Sequence, residues 1–223
     1  MNELLTFVFY PILCSGVAYW GTSGIWLLFD MYVAPSYRIS GGEIIDWKFY
    51  KKTAIEVFVT QMTTTPFVMY AFIPLWKYRG IDITWSGDLF TFITLIKLII
   101  CPIIGDLVFY LTHRLCHINL LYKKVHKKHH EWKVPVALAA AYTTVYEFVL
   151  CNLPTFLLPP LILGLNWYAA NIWFIFSTIS VVMDHSGYIF FENSIRHTNH
   201  HKYTKYNYGS NYLDKISNTE YKL

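Results

Sequence analysis

Long apolar segments restrict the folds available to this chain more than any other feature of its sequence. Leu4–Phe29 carries no charged residue, and further apolar segments follow at Val57–Trp76 and Leu89–Thr112. Each is long enough for a helix to cross a hydrocarbon core, which takes about 20 residues. Asp30–Thr53 is mixed and predicts a loop followed by an interfacial helix. The start of the chain lacks the basic region of a signal peptide, so we expect no cleavable one.

The composition also indicates a membrane protein. Hydrophobic residues make up 55% of the 223 residues and charged residues only 14%, whereas about 25% of a typical soluble domain is charged. The net charge of +4 is too small to indicate a nucleic-acid partner. The four cysteines lie in or beside apolar segments without paired spacing, which argues against a disulfide framework.

Histidines form three closely spaced groups that predict metal binding. An H-x-x-x-H pair is followed by two H-x-x-H-H clusters. The pair is His113 and His117, the first cluster is His126, His129 and His130, and the second cluster is His197, His200 and His201. Residues i, i+3 and i+4 share one face of an α-helix, so each group is expected to point its imidazoles in one direction. Imidazole is a ligand of zinc, iron, copper and nickel. Pro135 is expected to end the helix of the second group.

The remaining apolar stretches predict a hairpin that brings the groups to one side of the membrane. Phe148–Leu165 and Trp167–Met183 are each near the lower limit for a span. We expect the chain to turn at Pro159–Asn166 and to return at Asp184–His185, which makes His185 a ninth candidate ligand. Most Lys and Arg residues lie on this side, which is therefore expected to be cytoplasmic. The predicted fold is an all-α integral membrane protein with four to five transmembrane helices and a cytosolic histidine-rich helical cap.

The number of histidines favours two metals with open positions. Eight or nine neutral imidazoles exceed the needs of one metal, and structural zinc usually binds through cysteine. Open, nitrogen-ligated iron positions are what oxygen activation requires. Two alternatives stay open. One is a zinc-dependent membrane hydrolase with Glu131 as its base, and the other is a non-catalytic metal-binding or transport protein, with Lys97, Gln61 and the threonines on a polar path.

Three other residues near the histidines carry separate expectations. Asp106 lies two helical turns before His113 on the same face, so it is expected to hydrogen-bond the second nitrogen of that ring. Lys97 is expected to extend its ammonium to the membrane interface. Cys116 adjoins His117 but points about 100° away from it on a helix, which indicates a packing role.

The chain resembles a known family in these motifs. The sequence FYLTHRLCHINLLYKKVHKKHHEW, together with the third histidine group, resembles the fatty acid hydroxylase and sterol desaturase superfamily of membrane diiron enzymes. The resemblance covers Gly105 to about Asp214. HSGY at His185–Tyr188 is similar to the sterol C-4 methyl oxidase and cholesterol hydroxylase branch. HTNHHKYTKYNYGSNYLDK at His197–Lys215 is similar to the sterol C-5 desaturase branch. Only eight residues, Ile189–Arg196, separate the two motifs.

The resemblance implies a fatty acid hydroxylase-like catalytic unit at residues 89–223, behind N-terminal transmembrane and interfacial helices at residues 1–88. It implies an endoplasmic-reticulum membrane enzyme whose diiron site faces the cytosol. Such an enzyme uses dioxygen and two electrons from NAD(P)H, usually through cytochrome b5, to hydroxylate or desaturate a sterol or a fatty acyl chain. The implied ligands are the eight motif histidines and His185, and the implied supporting acids are Asp106 and Asp214.

Overall fold

The fold is helical throughout the part of the chain that the structure, a computed structural model, describes: residues 4–32, 35–39, 45–81 and 91–221. Within these ranges the one extended pairing is a single antiparallel bridge between Arg38 and Tyr188. The α-helices are α1 (Tyr10–Tyr32), α2 (Trp47–Tyr78), α3 (Phe92–Cys116), α4 (Asn119–Val125), α5 (Val145–Glu147), α6 (Leu153–Leu163), α7 (Trp167–Asp184), α8 (Glu192–Tyr203) and α9 (Asn211–Ile216). The predicted all-α class is confirmed.

Three helical segments are long and apolar enough to cross a bilayer: Leu5–Tyr32, Phe92–Cys116 and Val145–Leu163. The first joins a π-helical turn, Leu5–Phe9, to α1. The third joins α5 to α6 through a second π-helical turn, Phe148–Asn152. Apolar helices that can span a membrane are therefore present as expected, and the number of four to five spans stays a prediction.

α2 is one continuous helix where the sequence predicts an interfacial helix and a separate span. The Asp46 carboxylate caps its N-terminus by accepting from the backbone N–H groups of Lys48 and Phe49. No proline or glycine interrupts the chain between Trp47 and Val57, so the two predicted elements join. The predicted boundary between the two units, at residue 88, lies outside the described residues.

α6 and α7 form the predicted hairpin. α6 ends at Leu163, and Gly164 follows in the left-handed conformation with φ of 59°, the usual way to terminate a helix. The Lys97 ammonium donates to the Gly164 carbonyl at 3.0 Å, and the Arg79 guanidinium donates to two further carbonyls at the end of α6. These cations donate to carbonyl oxygens at the end of the helix, where the backbone supplies few partners. α1 packs along α7 and α3 along α6.

A polar cluster joins α1 to the loop that follows α7. Arg38 forms the bridge with Tyr188, pairs with Asp30 of α1 and donates to the Pro135 carbonyl at 3.4 Å. The Tyr188 hydroxyl also donates to Asp30, at 3.2 Å. Since His185 lies in the same loop, the N-terminal part of the chain helps to fix the position of a candidate ligand.

The conformation of this loop requires a glycine at position 187. A substitution there tests how the loop that carries His185 is held. Gly187 has a φ of +75°, and an added Cβ would lie 2.5 Å from the Pro135 carbonyl oxygen. We expect Gly187→Ala to lower the free energy of unfolding by about 1–2 kcal/mol for the left-handed conformation alone, and by more because Pro135 must move. Thermal unfolding in detergent measures the loss.

Gly24→Ala is the matched control, because a Cβ at Gly24 meets nothing within 4 Å. A Gly187→Ala protein that melts at the same temperature as the Gly24→Ala protein would show that the loop does not depend on this glycine.

Candidate metal centre

The nine histidines lie in two groups with converging ring nitrogens. The first group has five members, which are His113, His117, His126, His130 and His200. The second group has four members, which are His129, His185, His197 and His201. Within each group the candidate ligand atoms all lie within 4.8 Å of one another. Every one of the rings is buried or half-buried. The structure therefore brings all nine predicted site histidines together.

Each H-x-x-H-H cluster is divided between the two groups, so the expectation that a cluster points in one direction is wrong. On α8, His197 and His201 face the second group and His200 faces the first. Adjacent residues on an α-helix point about 100° apart, so the final two histidines diverge. One helix thus contributes to both groups.

The first H-x-x-H-H cluster also departs from the predicted helix. α4 ends at Val125, and the chain continues through a turn into a 3₁₀ segment, His129–Glu131. His126 and His130 face the first group and His129 the second. With three residues per turn, the adjacent rings of His129 and His130 point about 120° apart. This cluster therefore also supplies both groups, although it is not α-helical.

Backbone carbonyls fix the orientation of four rings by accepting hydrogen bonds from Nδ1. The pairs are His113 with Tyr208 at 2.7 Å, His200 with Tyr206 at 2.6 Å, His201 with Trp132 at 2.7 Å, and His185 with Val181 at 2.8 Å. A carbonyl can only accept, so in each neutral ring the hydrogen is on Nδ1 and a lone pair is on Nε2. Two such rings belong to each group.

The Nε2 atoms of each group converge at distances that suit the ligands of one metal ion. His113 Nε2 lies 3.0 Å from His126 Nε2, and His197 Nε2 lies 2.8 Å from His185 Nε2. A metal ion between such nitrogens would bind the lone pairs of both neutral rings. Metal-ligating histidines show this same arrangement, with Nδ1 donating to a carbonyl or carboxylate and Nε2 free to ligate. The residues present therefore fit metal ions.

Burial keeps these rings neutral, which is the form that ligates metal. Burial lowers the pKa of His185 to about 4. Burial, together with the neighbouring imidazoles, lowers the pKa of His129 and of His201 well below the usual range. A proton is therefore a poor substitute for a metal ion between the facing nitrogens.

Glu147 is a functional candidate that the sequence analysis missed. Its carboxylate Oε1 lies 2.8 Å from His126 Nδ1, and both side chains are almost fully buried. A carboxylate in this position holds a ligating histidine and makes it a stronger base. The available signal was an ionisable residue at the start of an otherwise apolar segment. The backbone carbonyls that hold the other rings could not be identified from the sequence, because every residue has a backbone carbonyl.

The two predicted supporting acids hold the loop that contains Tyr208. Asp106 does not contact His113, contrary to expectation. Its Oδ1 accepts from the Ser210 N–H at 2.9 Å. The Tyr208 carbonyl, rather than Asp106, accepts the hydrogen bond from His113 Nδ1. Asp214 is fully buried and accepts from the Tyr208 N–H at 2.9 Å. Both acids thus help to position the His113 ring indirectly, because they hold the backbone of the loop whose Tyr208 carbonyl binds that ring.

Glu131 and Cys116 lie away from the converging nitrogens. Glu131 is exposed, and its carboxylate accepts from the Tyr142 hydroxyl at 2.8 Å. It is therefore not placed as the base of a zinc hydrolase. Cys116 is buried with a free thiol, and in the described ranges both candidate groups consist of histidine alone. The packing role predicted for Cys116 agrees with this position.

A cavity of about 620 Å³ connects the histidines to the apolar helices. Rings from both groups line one end of it, among them His113 and His185. Side chains of α1, α2, α3, α6 and α7 line the rest, and most of the lining surface is apolar. Its volume is in the range of small-molecule sites, so a lipid chain can occupy it beside the candidate metal positions.

Comparison with known proteins agrees with this geometry. The chain is 31% identical over 195 residues to a putative methylsterol monooxygenase from Dictyostelium discoideum, covering 82% of this chain and 72% of that protein. It is 29% identical over 194 residues to the fatty acid hydroxylase domain-containing protein 2 of Macaca fascicularis, covering 84% of this chain. The chain spans 58% of the length of this second relative. No solved structure gives a significant match.

The family model for fatty acid hydroxylases matches residues 98–219. This stretch is more than half of the chain and contains all nine histidines, Glu147 and the loop around Tyr208. By this match, and by the extent of its similarity to the Dictyostelium protein, the chain belongs to the fatty acid hydroxylase family.

Proposed function

We propose that this protein is a membrane-bound non-haem diiron oxidoreductase that uses dioxygen and two electrons to hydroxylate or desaturate a lipid. The observation that carries the proposal is the set of Nε2 atoms that face one another in two buried groups. The proposed iron ligands are the nine histidines of those groups. Asp106, Asp214 and Glu147 are proposed to hold them in position.

The family favours iron over zinc. Zinc has no redox chemistry, whereas the related proteins are named as hydroxylases and monooxygenases. Imidazole nitrogen suits iron, and open positions on nitrogen-ligated iron are used for oxygen activation. When bound, the two irons would supply the activation of dioxygen.

The chain itself binds and positions the reactants. Carbonyls and Glu147 hold the rings at fixed angles, which limits reorganisation during the reaction. The apolar cavity excludes water and holds one part of a lipid against the histidine groups. The neutral imidazoles would leave the charge of the bound metals uncompensated, which would favour the uptake of electrons at the site.

The substrate is proposed to be a sterol or a fatty acyl lipid. Relatives include the methylsterol monooxygenase erg25B of Aspergillus fumigatus, 24% identical over 243 residues and matching 99% of this chain and 80% of that protein. Helices that can span a membrane line the cavity, which suits a lipid that enters it from the bilayer.

The electron supply is proposed from the family resemblance, and the location from the resemblance together with charge. NAD(P)H is the proposed source of electrons, through a cytochrome b5-type partner, with the site on the cytosolic face of the endoplasmic reticulum. Basic side chains surround the histidine segment that follows α3: Lys123, Lys124, Lys127, Lys128 and Lys133. Such an excess favours the cytoplasmic side and suits an acidic protein partner.

The metal content tests the centre directly. Purified protein in reducing, iron-replete buffer is expected to hold about two irons per chain, one for each group. His130→Ala in the first group or His201→Ala in the second is expected to lower this to about one, because each removes a ligand from one group only. Elemental analysis by mass spectrometry gives the number. Lys127→Ala, an exposed neighbour, is the control, and iron-free wild-type protein would refute the proposal.

Glu147→Gln tests the support of His126. The amide keeps the size of the side chain but loses the charge that strengthens the ring as a ligand, so we expect metal affinity at the first group to fall about 10–100-fold. Competition with a chelator measures the affinity. Glu131→Gln makes the same change at an exposed acid bonded to Tyr142 and is expected to bind metal as the wild type does. Equal metal affinities for the two variants would show that Glu147 does not support the metal centre.

Turnover tests the reaction class. In membranes supplied with NAD(P)H and cytochrome b5 reductase activity, a lipid extract is expected to gain oxidised products only when dioxygen is present. His200→Ala is expected to abolish these products, since His200 lies in the first group. Mass spectrometry of the lipids identifies them. Hydrolysed lipid that forms equally well without dioxygen would instead indicate a hydrolase.

A further inference from the structure

A single residue separates the two backbone carbonyls that hold rings of the first histidine group. The Tyr206 carbonyl accepts from His200 Nδ1 at 2.6 Å. The Tyr208 carbonyl accepts from His113 Nδ1 at 2.7 Å, and the centroids of the two rings are 4.6 Å apart. Asn207 lies between the two tyrosines in the chain. Its backbone torsions therefore help to set the angle between the two carbonyls, and through them the angle between two neighbouring rings.

Asn207 adopts a backbone conformation that few types of residue adopt. Its φ is 57°, in the left-handed region, which asparagine enters more readily than other residues with a side chain. The residue is buried, with 4% of its surface exposed. Asn218 has a similar φ of 54° but is exposed. An asparagine at position 207 thus meets a requirement of the loop that alanine meets only with strain.

The side-chain amide of Asn207 joins this loop to two other parts of the chain. Its Nδ2 donates to the Arg196 carbonyl at 3.0 Å, and its Oδ1 accepts from the Tyr221 N–H at 2.9 Å. Because a carbonyl only accepts and an N–H only donates, these partners fix which end of the amide faces each of them. The Asn207 N–H also donates to the Thr219 carbonyl at 2.8 Å. Arg196 lies one turn before His200 on α8, so the amide ties the loop to the helix that carries His200.

The carbonyls that hold rings of the second group lie in other parts of the fold. Val181 on α7 binds His185, and Trp132, which follows the 3₁₀ segment, binds His201. A change confined to the loop of Asn207 is therefore expected to disturb the first group and to leave the second intact. A general loss of stability would instead weaken both groups.

We infer that Asn207 is a positioning residue for the metal of the first histidine group. It holds the loop so that the carbonyls of Tyr206 and Tyr208 both accept from Nδ1, which directs Nε2 of His200 and His113 to the same metal position. The inference rests on the proposed function for the presence of a metal. It adds a residue that acts through the backbone carbonyls on either side of it.

Proteins that retain only one metal position test the inference. His201→Ala is expected to keep the metal of the first group and His130→Ala that of the second. Asn207→Gly removes the amide but accepts a positive φ without strain, so the loop can still fold. Added to His201→Ala, it is expected to lower the affinity for iron(II) about 10–100-fold, as loss of an outer partner of a ligand does. Added to His130→Ala, it is expected to leave the affinity unchanged. Competition with a chelator measures both affinities.

Asn218→Gly is the matched control, because it makes the same change at an exposed asparagine with a positive φ. We expect it to alter neither affinity. If Asn207→Gly weakens both metal positions equally, the residue supports general stability and the inference is wrong. It is also wrong if Asn207→Gly weakens neither position.

Zinc(II) separates this inference from the proposed function. Imidazole binds zinc as well as iron, so the same proteins can be titrated with either metal. A protein that takes up zinc but no iron, and whose zinc affinity falls only at the first group in Asn207→Gly, refutes only the diiron proposal. A protein that holds two irons with the same affinities in Asn207→Gly as in the wild type refutes only the role of Asn207.

Discussion

The convergence of the Nε2 atoms is the constraint on which the rest of this structure depends. Imidazoles whose Nε2 atoms lie 2.8–3.3 Å apart in a buried site are arranged to share a positive charge between them. Burial disfavours supplying that charge as protons, because it lowers the pKa of these rings. A bound metal ion would stabilise this arrangement, so we expect binding of metal and folding of the cap to be thermodynamically coupled.

The fold holds the rings through hydrogen bonds that come from distant parts of the chain. The Trp132 carbonyl binds a ring of α8, and Tyr208, held by Asp214, binds the ring of His113 on α3. Arg38 fastens the loop of His185 to α1. The N-terminal helices are therefore part of the support of the site as well as a membrane anchor, although the family model begins only at residue 98.

Much of the fold and the set of candidate residues could be predicted from the sequence. The apolar segments predicted α1, α3 and the α6–α7 hairpin, because a span needs a long apolar helix whatever it packs against. The short link Ile189–Arg196 still allows His197 Nε2 to reach 2.8 Å from His185 Nε2. The continuous α2 and the 3₁₀ segment at His129 were not predicted, because both depend on how the surrounding elements pack.

The sequence by itself determined that this is an all-α membrane protein with nine histidines suited to metal. Those properties depend on hydropathy and on residue chemistry, which are local. Only the tertiary structure decided how the rings are shared between two groups, since the two final histidines of each cluster diverge. It also decided that Glu147, and not Asp106, reaches a ring. These outcomes depend on distances between residues far apart in the chain, which only packing sets.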